Sequence, residues 1–124
     1  MALKSAVIRD PVVRMEYELE HWGRWIRSGK GRSGYGACIL AALRGSTVPE
    51  PNIADARAET IDAAMLRLQA FDRPMWGALW YTFAEGRPPY KWAKLVGVGR
   101  QTAYYRLLPD AVRWMLTEVG VGEL

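Results

Sequence analysis

Between Arg87 and Arg106 the chain carries five cations, Arg87, Lys91, Lys94, Arg100 and Arg106, and no Asp or Glu. Such a span suits a polyanion, because Lys and Arg neutralise phosphates while Arg and Gln can pair with the edges of guanine and adenine. The same stretch reads Pro89-Tyr-Lys-Trp-Ala-Lys-Leu-Val-Gly-Val-Gly-Arg-Gln-Thr-Ala-Tyr-Tyr-Arg-Leu-Leu108. It has the residue types that two helices meeting at a sharp turn require: Ala93 is small at the crossing, Gly97 can take the left-handed conformation, and Val98 can plug the hinge. Trp92, Leu95, Val96, Ala103 and Leu107 are expected to complete the core of this helix-turn-helix. Arg100, Gln101, Tyr104 and Tyr105 then point outward as candidate base readers in a major groove. Thr102, Lys91, Lys94 and Arg106 are candidates for phosphate contacts, which position a protein on DNA without reading sequence. The plainer reading, two ordinary helices with the tyrosines packed on a neighbour, stays open on the pattern alone.

Other chemistry finds less support. There is one His and one Cys, so Cys38 has no partner for a disulfide within the chain or for a zinc site needing two thiolates. No cofactor or metal is expected. His21 stands beside Glu20, but adjacent helical residues diverge by about 100° and form no dyad. The loop Gly29-Lys-Gly-Arg-Ser-Gly-Tyr-Gly36 lacks the Gly-Lys-Ser/Thr ending of a phosphate-binding loop, and an enzyme is not expected. Lys30 and Arg32 in that loop are instead candidates for contacts with phosphate, RNA or a protein partner.

The elements that must position these residues are helices. Asp10-Pro11 is a start signal, and Val12, Met15, Leu19, Trp22 and Ile26 form an apolar stripe that Gly29 ends. Within it, Gly23 lies between Trp22 and Trp25; Gly costs about 1 kcal/mol relative to Ala in a helix, so a neighbouring helix is expected to press close there. A short helix over 37–43 is predicted, then one capped by Asn52 with Ala54, Ala58, Ile61, Met65 and Leu68 inward and its charges outward. Asp72-Arg73-Pro74 restarts the chain into a helix marked by Met75, Leu79 and Phe83 and stopped by Gly86. Tyr90 to Val96 and Arg100 to Leu108 flank Gly97, and Pro109-Asp110 is read as opening a last helix with Val112, Met115, Leu116 and Val119.

No run alternates as a strand does. The expected fold is therefore all-α: a compact, single-domain helical bundle over residues 1–124, with an N-terminal body at 10–71 and a helix-turn-helix region at 72–119. A length of 124 residues, half of them apolar and six of them Trp, supports one core without staples. The formal charge of +4 permits nucleic-acid binding without requiring it. Acids collect at Glu16, Glu18 and Glu20 and between Asp55 and Asp62, away from the cationic span. No stretch reads as an export signal or a membrane span, and a reducing cytoplasm is the expected compartment.

Leu19-Glu-His-Trp-Gly-Arg-Trp25, a glycine-rich stretch, the acidic-faced helix from Ile53 to Leu68, and Tyr81-Thr-Phe-Ala-Glu-Gly86 ahead of the helix-turn-helix resemble, together, the phage late-gene antitermination protein Q family. The resemblance spans about Val13 to Leu116, is most specific at Leu19 to Trp25, and is to the zinc-free, single-domain branch. It implies a helix-turn-helix like that of sigma region 4 and binding to double-stranded DNA beside a late promoter. It further implies loading onto a paused bacterial RNA polymerase, with sigma factor and nascent RNA as further contacts, and suppression of termination in the host cytoplasm. On that family pattern Arg100, Gln101, Tyr104 and Tyr105 would read the binding element. A stand-alone repressor or packaging-subunit recognition module is the alternative that needs no polymerase.

Overall fold

Asp10 caps the first helix with its own carboxylate, which accepts the backbone N–H of Val12 at 2.9 Å and of Val13 at 3.5 Å. Pro11 takes the first helical position, where its missing N–H costs nothing. The computed structural model describes residues 10–30 and 50–120, and all regular structure in them is helical. Helix α1 is Pro11–Trp25, carried on through a wider, π-type turn at Ile26–Lys30 in which Gly29 leaves helical geometry at φ 89°. Helix α2 is Asp55–Phe71; α3 is Arg73–Leu79 with a π turn at Trp80–Ala84; α4 is Pro89–Val96. Helix α5 begins at Arg100–Thr102, widens through a π turn at Ala103–Leu107 and continues as Leu108–Val119. The helix expected over 37–43, most of the glycine-rich loop with Arg32, and Cys38 lie outside the described residues.

One hydrophobic core draws on all five helices. Met15, Leu19, Trp22 and Ile26 of α1, Ala58, Ile61, Met65 and Leu68 of α2, and Leu79 of α3 meet Trp92 and Ala93 of α4 and Ala103, Val112 and Met115 of α5. Trp22 is fully enclosed and meets the Trp80 ring edge-on, with centroids 6.0 Å apart, an arrangement worth about 0.5–1.5 kcal/mol beyond the burial itself. Gly23 sits where α1 presses on the π turn after α3: a Cβ there would lie 1.8 Å from the Phe83 carbonyl oxygen. From the next turn of α1, Arg27 donates through Nη1 to the carbonyls of Phe83 at 2.9 Å and Ala84 at 2.8 Å, satisfying acceptors that the end of α3 leaves over.

Two expectations about helix ends are corrected. Asn52 does not cap α2. The helix starts after Ala54 without any side-chain cap, and Asn52 is turned toward α1 instead, its backbone N–H donating to His21 Nδ1 at 2.9 Å and its amide to the Tyr17 hydroxyl at 2.7 Å. Asp55, in the first turn, accepts the indole N–H of Trp25 at 2.9 Å. Pro109 does not open a new helix either, because Leu107 and Leu108 both keep right-handed helical angles. The π turn hands the Leu108 N–H to the Ala103 carbonyl, five residues back, and this widening accommodates the proline ring that would clash inside a regular helix.

The outward placement of charge expected for α2 has an exception in Asp62, and α1 buries a carboxylate of its own. Glu18 and Asp62 are buried. Arg57 of α2 grips Glu18 through Nε at 2.9 Å and Nη2 at 3.0 Å, and donates as well to the carbonyls of Val119 at 3.1 Å and Gly120 at 2.6 Å, so one guanidinium ties α1, α2 and the end of α5. Bidentate, charge-assisted pairing of this kind offsets the desolvation of the buried carboxylate.

Candidate nucleic-acid interface

Helix α4 starts on Pro89 and ends at Gly97, whose φ of 81° and ψ of 30° are the left-handed geometry read from the sequence. The turn closes by hydrogen bonds from Val98 N–H to the Ala93 carbonyl at 3.1 Å and from Gly97 N–H to the Lys94 carbonyl at 3.2 Å. Gly99 is extended, and α5 follows with Ala103 N–H bonded to the Gly99 carbonyl at 2.9 Å. The connection between α4 and α5 is therefore three residues long, Gly97 to Gly99.

Trp92, Ala93 and Ala103 are fully buried, and Val96, Val98 and Leu107 pack partly buried against them. The indole N–H of Trp92 donates to Thr82 Oγ1 at 3.0 Å, which fixes α4 on the segment leaving α3. Leu95, expected in this core, is 57% exposed. Ala93 and Val96 already occupy the inward face of a short helix, and Leu95 falls on the outer side with Lys91 and Lys94.

Over its first two turns α5 buries Ala103 and partly buries Leu107, while Arg100, Gln101, Thr102, Tyr104, Tyr105 and Arg106 are all exposed. Lys91 and Lys94 are exposed on α4 and share one face at i, i+3 spacing. Tyr104 and Tyr105 do not pack on a neighbouring helix. Their rings lie 4.8 Å apart, edge to face, and are 56% and 72% exposed. Gly99 offers no side-chain cap, so the first backbone N–H groups of α5 face outward at the positive end of the helix, an arrangement that favours anions.

Most arginines of the other helices are paired, Arg73 of α3 excepted. Arg24, Arg57, Arg67 and Arg113 each meet a carboxylate on the body helices. Arg87, the first cation of the basic span, is drawn to Glu85 at 2.7 Å and lies over the Tyr81 ring. Among the described residues, Lys91, Lys94, Arg100 and Arg106 enter no ion pair. Four unneutralised cations on one exposed corner, with no carboxylate between them in sequence, can take up phosphate without first breaking internal contacts.

His21 and Glu20 form no catalytic pair: the His21 ring lies 4.4 Å from that of Tyr17 and accepts the Asn52 N–H, while Glu20 pairs with Arg24. Burial, with Arg24 adding to it, lowers the His21 pKa below the ordinary histidine value. Among the described residues no three His, Asp or Glu side chains gather as a metal site would need, and no helix is long and apolar enough to cross a membrane. Sequence reasoning did not anticipate an open pocket between α3 and α4, nor that the candidate reading segment is one helix with the C-terminal core segment; neither has a local signature. Comparison of the chain with protein-family models, with curated proteins and with solved structures finds no match.

Proposed function

We propose that the chain is a double-stranded-DNA-binding transcription factor that acts by antitermination. The observation that supports DNA binding is the α4–α5 corner: an exposed helix start bearing Arg100, Gln101, Tyr104 and Tyr105 beside the unpaired cations Lys91, Lys94 and Arg106. In this reading α5 lies in a major groove with Arg100 and Gln101 on base edges, Tyr104 and Tyr105 beside them, and Thr102, Lys91, Lys94 and Arg106 on phosphates. The connectivity of two helices across a left-handed glycine is what a helix-turn-helix requires. Loading onto a paused bacterial RNA polymerase, in contact with sigma factor or nascent RNA, rests on the sequence resemblance around Leu19 to Trp25.

The test has two levels. Affinity for duplex DNA should fall with salt, each cationic phosphate contact adding about 0.9 to the slope of log K against log salt. In single-round transcription, the protein should increase full-length RNA beyond a downstream terminator, and deleting the promoter-proximal binding element should remove the gain while initiation continues. A protein that only reduces initiation, with escaped complexes terminating as usual, is a repressor, and antitermination is then rejected.

A further inference from the structure

Adjoining the duplex-facing corner, α3 and α4 flank an open pocket of about 210 Å³ lined by Arg73, Pro74, Trp76, Gly77, Tyr81, Leu95 and Val96. We propose that this pocket holds an unpaired nucleobase of a single-stranded nucleic acid. Trp76 is half-buried and stacked on Trp80, with centroids 5.8 Å apart and planes 10° from parallel, so only its other face and its rim remain for a ligand. Tyr81 meets Trp76 edge-on at 6.4 Å. The two rings form a fixed aromatic wall, and Leu95, misplaced on the surface for a core leucine, forms the apolar lip opposite. A closed cavity of about 150 Å³ accepts a benzene ring, so the volume admits a base.

Charge favours an anionic ligand, and the aromatic faces of Trp76 and Tyr81 favour a nucleic acid over an acidic peptide. Arg73 is exposed on the rim and, among the described residues, pairs with no carboxylate; no Asp or Glu lines the pocket. Lys94 adjoins Leu95 on α4 and is equally unpaired, so a second cation stands within one residue of the pocket lining. A cationic track with aromatic faces along it is the arrangement that binds single strands without sequence preference. Gly77 lets α4 close onto α3 at the floor of the pocket: a Cβ there would come within 2.7 Å of Val96 Cγ1.

The test measures a short fluorescein-labelled oligo(dT) and oligo(U) against the full chain by anisotropy, with a duplex of equal length titrated separately. Leu95→Ser removes the apolar lip from an exposed position without adding charge beside Lys91 and Lys94, so its melting temperature and duplex affinity should match wild type while single-strand binding weakens about 5-fold. Trp76→Ala, where circular dichroism shows it folded, should weaken single-strand binding about 5- to 150-fold, the range that one stacked base supplies, with duplex affinity retained. Oligo(dT) and oligo(U) distinguish an opened DNA strand from RNA as the source. Unchanged single-strand binding in Leu95→Ser and in a folded Trp76→Ala, crosslinks from 4-thiothymidine mapping to Tyr104 or Tyr105, or binding of an acidic peptide but of neither oligonucleotide, would each overturn the assignment. A wild-type chain that binds single strands but no duplex would instead count against the proposed role of α5.

Discussion

Replacing Gly23 by Ala sets two effects of opposite sign against each other. Ala is the better helix former by about 1 kcal/mol. Its Cβ, however, would lie 1.8 Å from the carbonyl oxygen and 2.7 Å from the carbonyl carbon of Phe83. Carbon and oxygen approach no closer than about 3.3 Å in ordinary contacts, so α1 and the π turn after α3 must separate by roughly 1.5 Å. The obstacle is backbone, and Arg27 holds it by two hydrogen bonds of 2.9 and 2.8 Å. Overpacking of this kind costs about 1–3 kcal/mol, and loss of one hydrogen bond to a charged group about 1.5–3 kcal/mol more. With the propensity gain subtracted, a net loss of about 2–5 kcal/mol is expected, or roughly 8–20 °C in melting temperature for a chain of this size. Urea unfolding followed by tryptophan fluorescence, alongside calorimetry, measures it. A Gly23→Ala protein melting within a degree or two of wild type, or above it, would refute the close contact and the account of why glycine stands there.

Trp22→Ala empties the centre of the core and should cost about 3–5 kcal/mol, read from the same unfolding curves; near-native stability would contradict its enclosure. Arg100→Ala should cost roughly 1–3 kcal/mol in duplex binding and relax preference at one base pair, whereas Lys94→Ala should weaken all sequences alike and reduce the salt slope by about one. Footprinting and salt titration separate the two, and a uniform loss in both would end the division into reader and positioner. Burial holds the His21 pKa below 6.5, so the unfolded chain takes up this proton before the folded one does, and stability should fall as pH drops below about 6.5 toward the lower folded value. Burial and Asp10 raise the Glu16 carboxyl, which acts in the opposite direction, so the His21 contribution is read as the difference between wild type and His21→Gln; identical pH profiles would count against it.

What could be read from the sequence was local. The stripe Met15, Leu19, Trp22 and Ile26, the Asp10-Pro11 start, the Gly97 turn and the tight approach at Gly23 each follow from a residue and its neighbours within a few turns. The exposed positions of Arg100, Gln101, Tyr104 and Tyr105 followed from the same periodicity. What escaped depends on partners far away in sequence. Asn52 is claimed by Tyr17 and His21 on another helix, which no capping rule could foresee. Nothing near Glu18 in sequence indicated that Arg57, 39 positions on, would meet it inside the protein. Pro109 carried a strong start signal, yet the π turn before it absorbs the ring and lets the helix run on. Leu95 was assigned inward because it is a leucine, although the short α4 had already filled its buried face.

That uninterrupted run of α5 makes the molecule a lever. From Arg100 to Val119 the helix spans about 30 Å, with the exposed Arg100–Gln101 end at one extreme and, at the other, the carbonyls of Val119 and Gly120 in the grip of Arg57. Between them there is no loop in which a twist could dissipate, only the widened turn ahead of Pro109. If a ligand seats on Arg100 and Tyr104, a displacement of that end reaches the Arg57–Glu18 pair to the extent that the widened turn ahead of Pro109 does not bend. The two ends are joined by helix alone, with no loop between them.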